Sequence, residues 1–206
     1  MRPRNYRTMK ARLAAALRAT MAALAFLFAA WPVAVIAQPA LTVLGLSIPA
    51  QVAGLPHGQP YDYETTYPGL GYSIPFKPAG EGRIDVYVYT LKLDSIPEDP
   101  MSELVRNQLA QAKGDVFTME KRGLYSNVAA KSDFTVNDTL GQTRFVCSAL
   151  TFVHVQSGRS TDSYVCVSSW KNRFLKIRMT TPQDPASSAN ARRFVEGWIP
   201  VLWSPR

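Results

Sequence analysis

The sequence predicts an α+β fold, in which an antiparallel sheet of about six to seven strands is flanked by two helices. Several stretches alternate apolar and polar residues, or are apolar on both faces, as β-strands do. Short turn signals join these stretches, which favours antiparallel pairing because parallel strands need long crossover connections. One helical pattern is inserted after the third strand and another lies at the C-terminal end, an order typical of α+β proteins.

The N-terminal residues 1–37 are predicted to be a secretory signal peptide. They contain six basic and no acidic side chains, and the apolar run 19–37 ends in Val35, Ile36 and Ala37. A basic start, an apolar run and a small-residue end are typical of a cleaved signal. The run is also long enough to cross a bilayer, so an uncleaved membrane anchor stays open as an alternative. Cleavage predicts a periplasmic or secreted protein.

The net charge of the chain depends strongly on this segment. The whole sequence carries +8, but residues 38–206 hold 17 basic and 15 acidic side chains, a net charge of +2. The basic balance is therefore no evidence for nucleic-acid binding. Residues 144–206 still contain nine basic and three acidic side chains, which predicts a modestly basic surface in this half.

Residues 38–60 are rich in Pro, Gly and Ala and are predicted to be a linker or a loosely packed arm. Residues 61–206 are long enough for a single α+β domain with one core. Its first strands are predicted at residues 61–67, 71–76 and 83–93. The last of these is apolar on both faces, as expected for a central strand.

A first helix is predicted after residue 98. Asp99 is the expected N-cap, Pro100 suits the first helical position, and Gly114 is the expected end. We interpret its apolar stripe as core packing, with a ligand groove as the alternative. The stripe consists of Met101, Leu104, Val105, Leu109 and Ala112.

The C-terminal part of the domain is predicted to contain four more strands and a second helix. The strands fall at residues 124–136, 142–155, 161–170 and 174–181, with turn-forming residues between them. The helix is expected at about residues 186–198, where apolar residues recur at helical spacing.

Three stretches resemble PsbP-like domains. They are GLGYSIPF at residues 69–76, VSSWKNRFLKIRMTTP at 167–182 and ARRFVEGW at 191–198, and the resemblance in order and pattern spans residues 61–203. It implies a sheet flanked by helices, as in adaptor and binding domains without a catalytic centre of their own. It also fits a small exported bacterial protein. Function does not follow from such a fold alone.

Cys147 and Cys166 are the two cysteines of the chain and are a candidate disulfide, since export places them in an oxidising compartment. A two-residue turn at Ser157-Gly158 would place them diagonally, about 7–8 Å apart, which is long for a bridge. A turn at Gly158-Arg159 would place them farther apart still. Two buried free thiols therefore remain the alternative.

Candidate catalytic groups are few. His154 with the nearby Asp162 raises a hydrolase alternative, but no nucleophile-elbow motif accompanies them. Asp62 and Glu64 resemble a glycosidase pair, but carboxylates on one strand more often form a solvated edge. The histidines and cysteines lack zinc-ligand spacing, so we expect no catalytic residue, no metal and no cofactor.

Four basic residues near the last turn are the candidate partner-binding residues: Lys171, Arg173, Lys176 and Arg178. They would form a stripe for an envelope protein, an anionic lipid headgroup or a polysaccharide, and an ordinary solvated sheet face is the alternative. We expect no nucleic-acid partner, and contact with a membrane only through an uncleaved N-terminal segment.

The sequence thus favours an exported, non-enzymatic binding or adaptor domain with an unknown partner. A carrier that holds an apolar or lipid-like ligand between the sheet and the first helix is the second expectation. A hydrolase that uses His154 is the third.

Overall fold

The structure is a computed structural model that describes residues 40–78 and 80–203. The predicted signal peptide, residues 1–37, lies outside the described residues. Strands in the described part are β1 (Leu41–Val43), β2 (Leu46–Ile48), β3 (Gln51–Val52), β4 (Leu55–Pro56), β5 (Tyr61–Asp62), β6 (Tyr72–Phe76), β7 (Arg83–Tyr89), β8 (Tyr125–Asn137), β9 (Thr143–His154), β10 (Ser160–Trp170) and β11 (Arg173–Pro182). Helices in the same part are α1 (Glu103–Lys121), α2 (Ser187–Glu196) and α3 (Ile199–Trp203). None of these three helices has the length and apolar character to cross a bilayer.

Seven strands form one antiparallel sheet in the order β5-β6-β7-β11-β10-β9-β8. Strands of this sheet that follow each other in the sequence are also neighbours in the sheet, with the exception of β7 and β8, which are connected through α1. The chain then returns through β9 and β10, so that β11 pairs with both β10 and β7 in the middle of the sheet. The predicted α+β fold is confirmed, with a helix after the third strand of the sheet and a helix at the C-terminal end.

The two faces of the sheet carry different layers. Successive side chains of a strand point to opposite faces, and β11 illustrates this alternation. Phe174 packs on the side of α1 together with Val105, whereas Leu175 and Ile177 pack on the other side with Phe194 of α2. We call these sides the α1 face and the α2 face. The strand β7 follows the same alternation, with Ile84, Val86 and Val88 in the α2-face core and Tyr89 in the α1-face core, as the sequence predicted for this strand.

Residues 41–56 differ from the prediction of a linker or loosely packed arm. They form two hairpins, β1-β2 and β3-β4, and the side chains of Leu46, Ile48 and Val52 are buried in the α2-face core. Leu44 and Ala53, each followed by a glycine, take positive φ in the two turns, as in two-residue hairpin turns. Each strand contributes only two or three residues, which is too short for alternation to be recognised in the sequence.

The boundaries of α1 also differ from the prediction. Ser102 rather than Asp99 is the N-cap, and its hydroxyl oxygen accepts from the Val105 N–H. Gly114 lies inside the helix, which continues to Lys121. The continuation is explained by Val116, which is fully buried and offsets the cost of about 1 kcal/mol for a glycine in a helix.

Candidate ligand-binding cleft

The disulfide predicted between Cys147 and Cys166 is present, with the two Cα atoms 4.0 Å apart. The cysteines are direct partners in the β9-β10 ladder. The predicted diagonal register was wrong because the hairpin ends in a four-residue loop, residues 155–158, in which the Gly158 N–H bonds to the His154 carbonyl. A disulfide bond fits an oxidising, extracytoplasmic location.

His154 lies at the end of β9 among aromatic rings. Its ring centroid is 5.0 Å from that of Tyr125 and 5.2 Å from that of Phe152, both in edge-on geometry. Asp162 lies on the α2 face, where it accepts from the Ser187 hydroxyl. The structure thus places His154 and Asp162 on opposite faces of the sheet.

Asp62 and Glu64 hold a loop instead of facing each other across a cleft. The Asp62 carboxylate accepts from the backbone N–H and the hydroxyl of Thr65, and these bonds keep its pKa below the ordinary value. The Glu64 carboxylate accepts from the N–H groups of Gly69 and Gly71. Within residues 40–78 and 80–203, no three His, Cys, Asp or Glu side chains are grouped as a metal site.

The four basic candidates do not form one stripe. Lys171 lies in the β10-β11 turn with its ammonium 4.8 Å from the Trp170 ring centroid, and Arg173 donates to the Lys171 carbonyl. Lys176 and Arg178 alternate with Leu175 and Ile177 along β11 and so lie on the α1 face. Arg173 occupies an alternate position with Leu175 and Ile177 along β11 and so belongs to the α2 face. The predicted stripe therefore combined residues from both faces of the sheet.

A cleft lies where Lys176 reaches the α1 face. The helix α1 packs on β8, β9 and β10, so it leaves part of β7 and β11 uncovered beside it. The space between the helix and these strands forms a cavity of about 230 Å³. Its third side is the loop before β6, with Tyr63 and Leu70.

The floor of the cleft is a lysine packed on two tyrosines. Lys176 is the direct ladder partner of Tyr87, and its ammonium is 4.6 Å from the Tyr87 ring centroid and 5.6 Å from that of Tyr89. Burial lowers the pKa of Lys176, while the carboxylate of Asp115 acts to raise it. Among the described residues, the Lys176 ammonium forms neither a hydrogen bond nor an ion pair.

The helical wall of the cleft is polar. Gln108, Gln111 and Asp115 follow each other at spacings of three and four residues, which places them on one side of α1. The Tyr89 hydroxyl donates to the Gln108 amide oxygen at 2.9 Å, and the Gln108 amide nitrogen donates to Gln111 at 3.4 Å. Burial raises the pKa of Tyr89 well above its ordinary value, so this phenol remains a neutral donor at neutral pH.

The mouth of the cleft is held by a strained turn. Leu91 and Lys92 take φ values of +55° and +58°, a left-handed conformation that costs a non-glycine residue about 1–2 kcal/mol. The Gly69 carbonyl accepts from the N–H groups of Thr90 and Leu91, which ties this turn to the loop before β6. Leu91 of this turn lines the cleft and is partly exposed, which places it at the cleft mouth.

Sequence reasoning singled out Lys176 but missed its surroundings. The strand predicted at residues 83–93 was expected to be apolar on both faces, which placed Tyr87 and Tyr89 in a core, and no prediction concerned the polar side of α1. The spacing of Gln108, Gln111 and Asp115 was the available signal, but its meaning depends on which strands the helix covers. Comparison with protein-family models and with curated proteins gives no match for this chain, so a functional assignment depends on the geometry of the cleft.

Proposed function

We propose that this protein is an exported, non-enzymatic binding domain that holds a small ligand in the cleft between α1 and the sheet. The observation that carries the proposal is the ammonium of Lys176, which lines the cavity and has no hydrogen-bond acceptor among the described side chains. An ammonium has three N–H donors, and a cation taken partly out of water is costly unless it is paired. A ligand with an acceptor group would supply the missing partner.

The size of the cleft narrows the ligand. A volume of about 230 Å³ lies below the 300–1,000 Å³ that is usual for drug-sized ligands. This favours a molecule with one ring or a short chain, and argues against a whole lipid. A binding function was the first expectation from the sequence. The ligand proposed here lies between the sheet and the first helix, where the carrier alternative also placed its ligand.

Export is supported by two independent features. The predicted signal peptide at residues 1–37 directs the chain out of the cytoplasm, and the disulfide between Cys147 and Cys166 suits an oxidising compartment. We therefore place the protein in the periplasm or outside the cell. The resemblance to PsbP-like domains, many of which bind partners without catalysis, agrees with a binding role.

The test uses small probes and the exported protein. 3-Phenylpropanoate, L-phenylalanine and 2-phenylethylamine are titrated into wild type, Lys176→Met and Lys121→Met, with ligand-observed NMR to give dissociation constants. Lys121 is exposed at the end of α1 and controls for the loss of a lysine elsewhere. We expect at least one carboxylate probe to bind, with about tenfold or greater weakening in Lys176→Met only.

Two results would overturn the proposal. One is that none of the three probes binds to the wild type. The other is that Lys176→Met and the wild type bind every probe equally, which would place the ligand outside the cleft.

A further inference from the structure

Two opposite charges line the cleft without contacting each other. Lys176 comes from β11 and Asp115 from α1, and the effect of Asp115 on the Lys176 pKa indicates that their charges interact. Nevertheless, the five ion pairs of the described residues join other side chains. A cation and an anion therefore face one cavity with space between them.

The charge of the ligand follows from this arrangement. A simple carboxylate would pair with Lys176 but would be repelled by Asp115, and a simple amine would meet the reverse situation. A molecule with one positive and one negative group satisfies both charges at once. A phosphate is disfavoured, because Asp115 would repel its negative charge and because α1 presents its middle to the cleft instead of its N-terminus.

The remaining walls describe the body of the ligand. Tyr63, Leu70 and Leu91 offer aromatic and apolar surface near the mouth, while Gln108 and Gln111 offer amide groups. The cavity of about 230 Å³ is smaller than the sites that hold drug-sized ligands. This suits a molecule of about a dozen non-hydrogen atoms that has one apolar end.

We propose that the ligand is a free amino acid with an apolar or aromatic side chain, whose carboxylate binds Lys176 and whose ammonium binds Asp115. This inference rests on the proposed function, since it assigns the ligand of the same cleft. The side chain of the amino acid packs against Tyr63 and the leucines at the mouth. Charge-assisted contacts of this kind are stronger than neutral hydrogen bonds.

The experiment compares three probes that share a phenyl group. L-Phenylalanine has both charges, 3-phenylpropanoate lacks the ammonium and 2-phenylethylamine lacks the carboxylate. Dissociation constants are measured by ligand-observed NMR at pH 7 with wild type and with Asp115→Asn, a change at an exposed helix position that preserves the fold. We expect wild type to bind L-phenylalanine at least about tenfold more tightly than either partial probe. Asp115→Asn should reduce this advantage over 3-phenylpropanoate to about twofold or less.

The outcomes separate this inference from the proposed function. If 3-phenylpropanoate binds in a Lys176-dependent way but L-phenylalanine binds no more tightly, the amino-acid ligand is wrong and the binding cleft stands. The same conclusion follows if the advantage of L-phenylalanine persists in Asp115→Asn. If no probe binds, both proposals are wrong.

Discussion

Cys147 and Cys166 are directly paired across β9 and β10, and their disulfide joins the two strands near the end of their ladder that lies away from the connecting loop. Both side chains are buried, with 1% of their surface exposed. The bond lies on the α2 face, where Cys147 and Cys166 pack with Phe194 and Trp198. The disulfide thus links the sheet at the place where the C-terminal helices cover it.

Removal of the disulfide is expected to destabilise the protein. The bond joins residues 19 positions apart, and closing a loop of this size stabilises by about 3 kcal/mol in the chain-entropy model. Cys147→Ala/Cys166→Ala should lower the free energy of unfolding by about this amount, as measured by urea denaturation. Wild type in the presence of a reductant is the control, because it loses the disulfide bond but keeps both sulfur atoms in the core. Equal stability of reduced and oxidised wild type would contradict the prediction.

Asp162 should be important for the attachment of α2. Its buried carboxylate accepts from Lys131 at 2.6 Å and from the Ser187 hydroxyl at 2.7 Å, so Asp162→Asn leaves a buried network incomplete. Because Lys131 itself is half exposed, we expect a loss of about 1–3 kcal/mol in the free energy of unfolding, the cost of leaving a buried polar group unsatisfied. Asp133→Asn is the control, because its exposed pair with Lys113 should contribute less than about 1 kcal/mol. Similar losses in the two variants would argue against a special role for Asp162.

Gly114→Ala should stabilise the protein. Gly114 is inside α1, and an added Cβ would meet no heavy atom within 4 Å, so the variant gains helix propensity of about 0.5–1 kcal/mol. Gly71→Ala is the contrasting variant, since Gly71 has a φ of +61° and an added Cβ would overlap the Val88 carbonyl. Thermal and urea unfolding should shift in opposite directions for the two variants. A destabilised Gly114→Ala would refute the assignment of this residue to an open helix position.

The stability of the protein should depend on pH through Lys176. Burial, opposed by Asp115 and assisted by Arg178, lowers the folded-state pKa of Lys176 below 10.5. Between that lowered pKa and 10.5, the unfolded chain binds a proton that the folded chain has released, so the stability of wild type rises with pH in this window. Lys176→Met lacks this contribution.

Urea denaturation of wild type and Lys176→Met between pH 7 and pH 10 measures this effect as a difference. Any stability advantage of Lys176→Met should be largest at pH 7 and should decrease as the pH rises. Burial also raises the pKa values of Tyr87 and Tyr89. These shifts lower the stability of the protein only above the ordinary tyrosine pKa of about 10, so the measurements end at pH 10. Parallel profiles for the two proteins would show that Lys176 is not desolvated in the folded state.

The strands and helices of the domain were predictable because their patterns are local. The alternation in β7 and β11 and the apolar spacing from Val105 to Ala112 indicate which side of each element is buried. The core-packing prediction was wrong for Met101 and Leu104, which are exposed near the start of α1. The hairpins at residues 41–56 were not predictable, because strands of two or three residues carry almost no periodic signal. The end of α1 was missed for the opposite reason: Gly114 is a strong local stop signal, and the burial of Val116 overrides it.

The sequence by itself determined the fold class, the order of the sheet elements along the chain and the pairing candidates for the disulfide. These follow from local periodicity, turn residues and the presence of only two cysteines. Only the tertiary structure decided that the cysteines are direct partners, because the register depends on a four-residue loop. It also decided that Lys176 and Asp115 share a cleft, because α1 covers one half of a sheet face and leaves the other half open beside it.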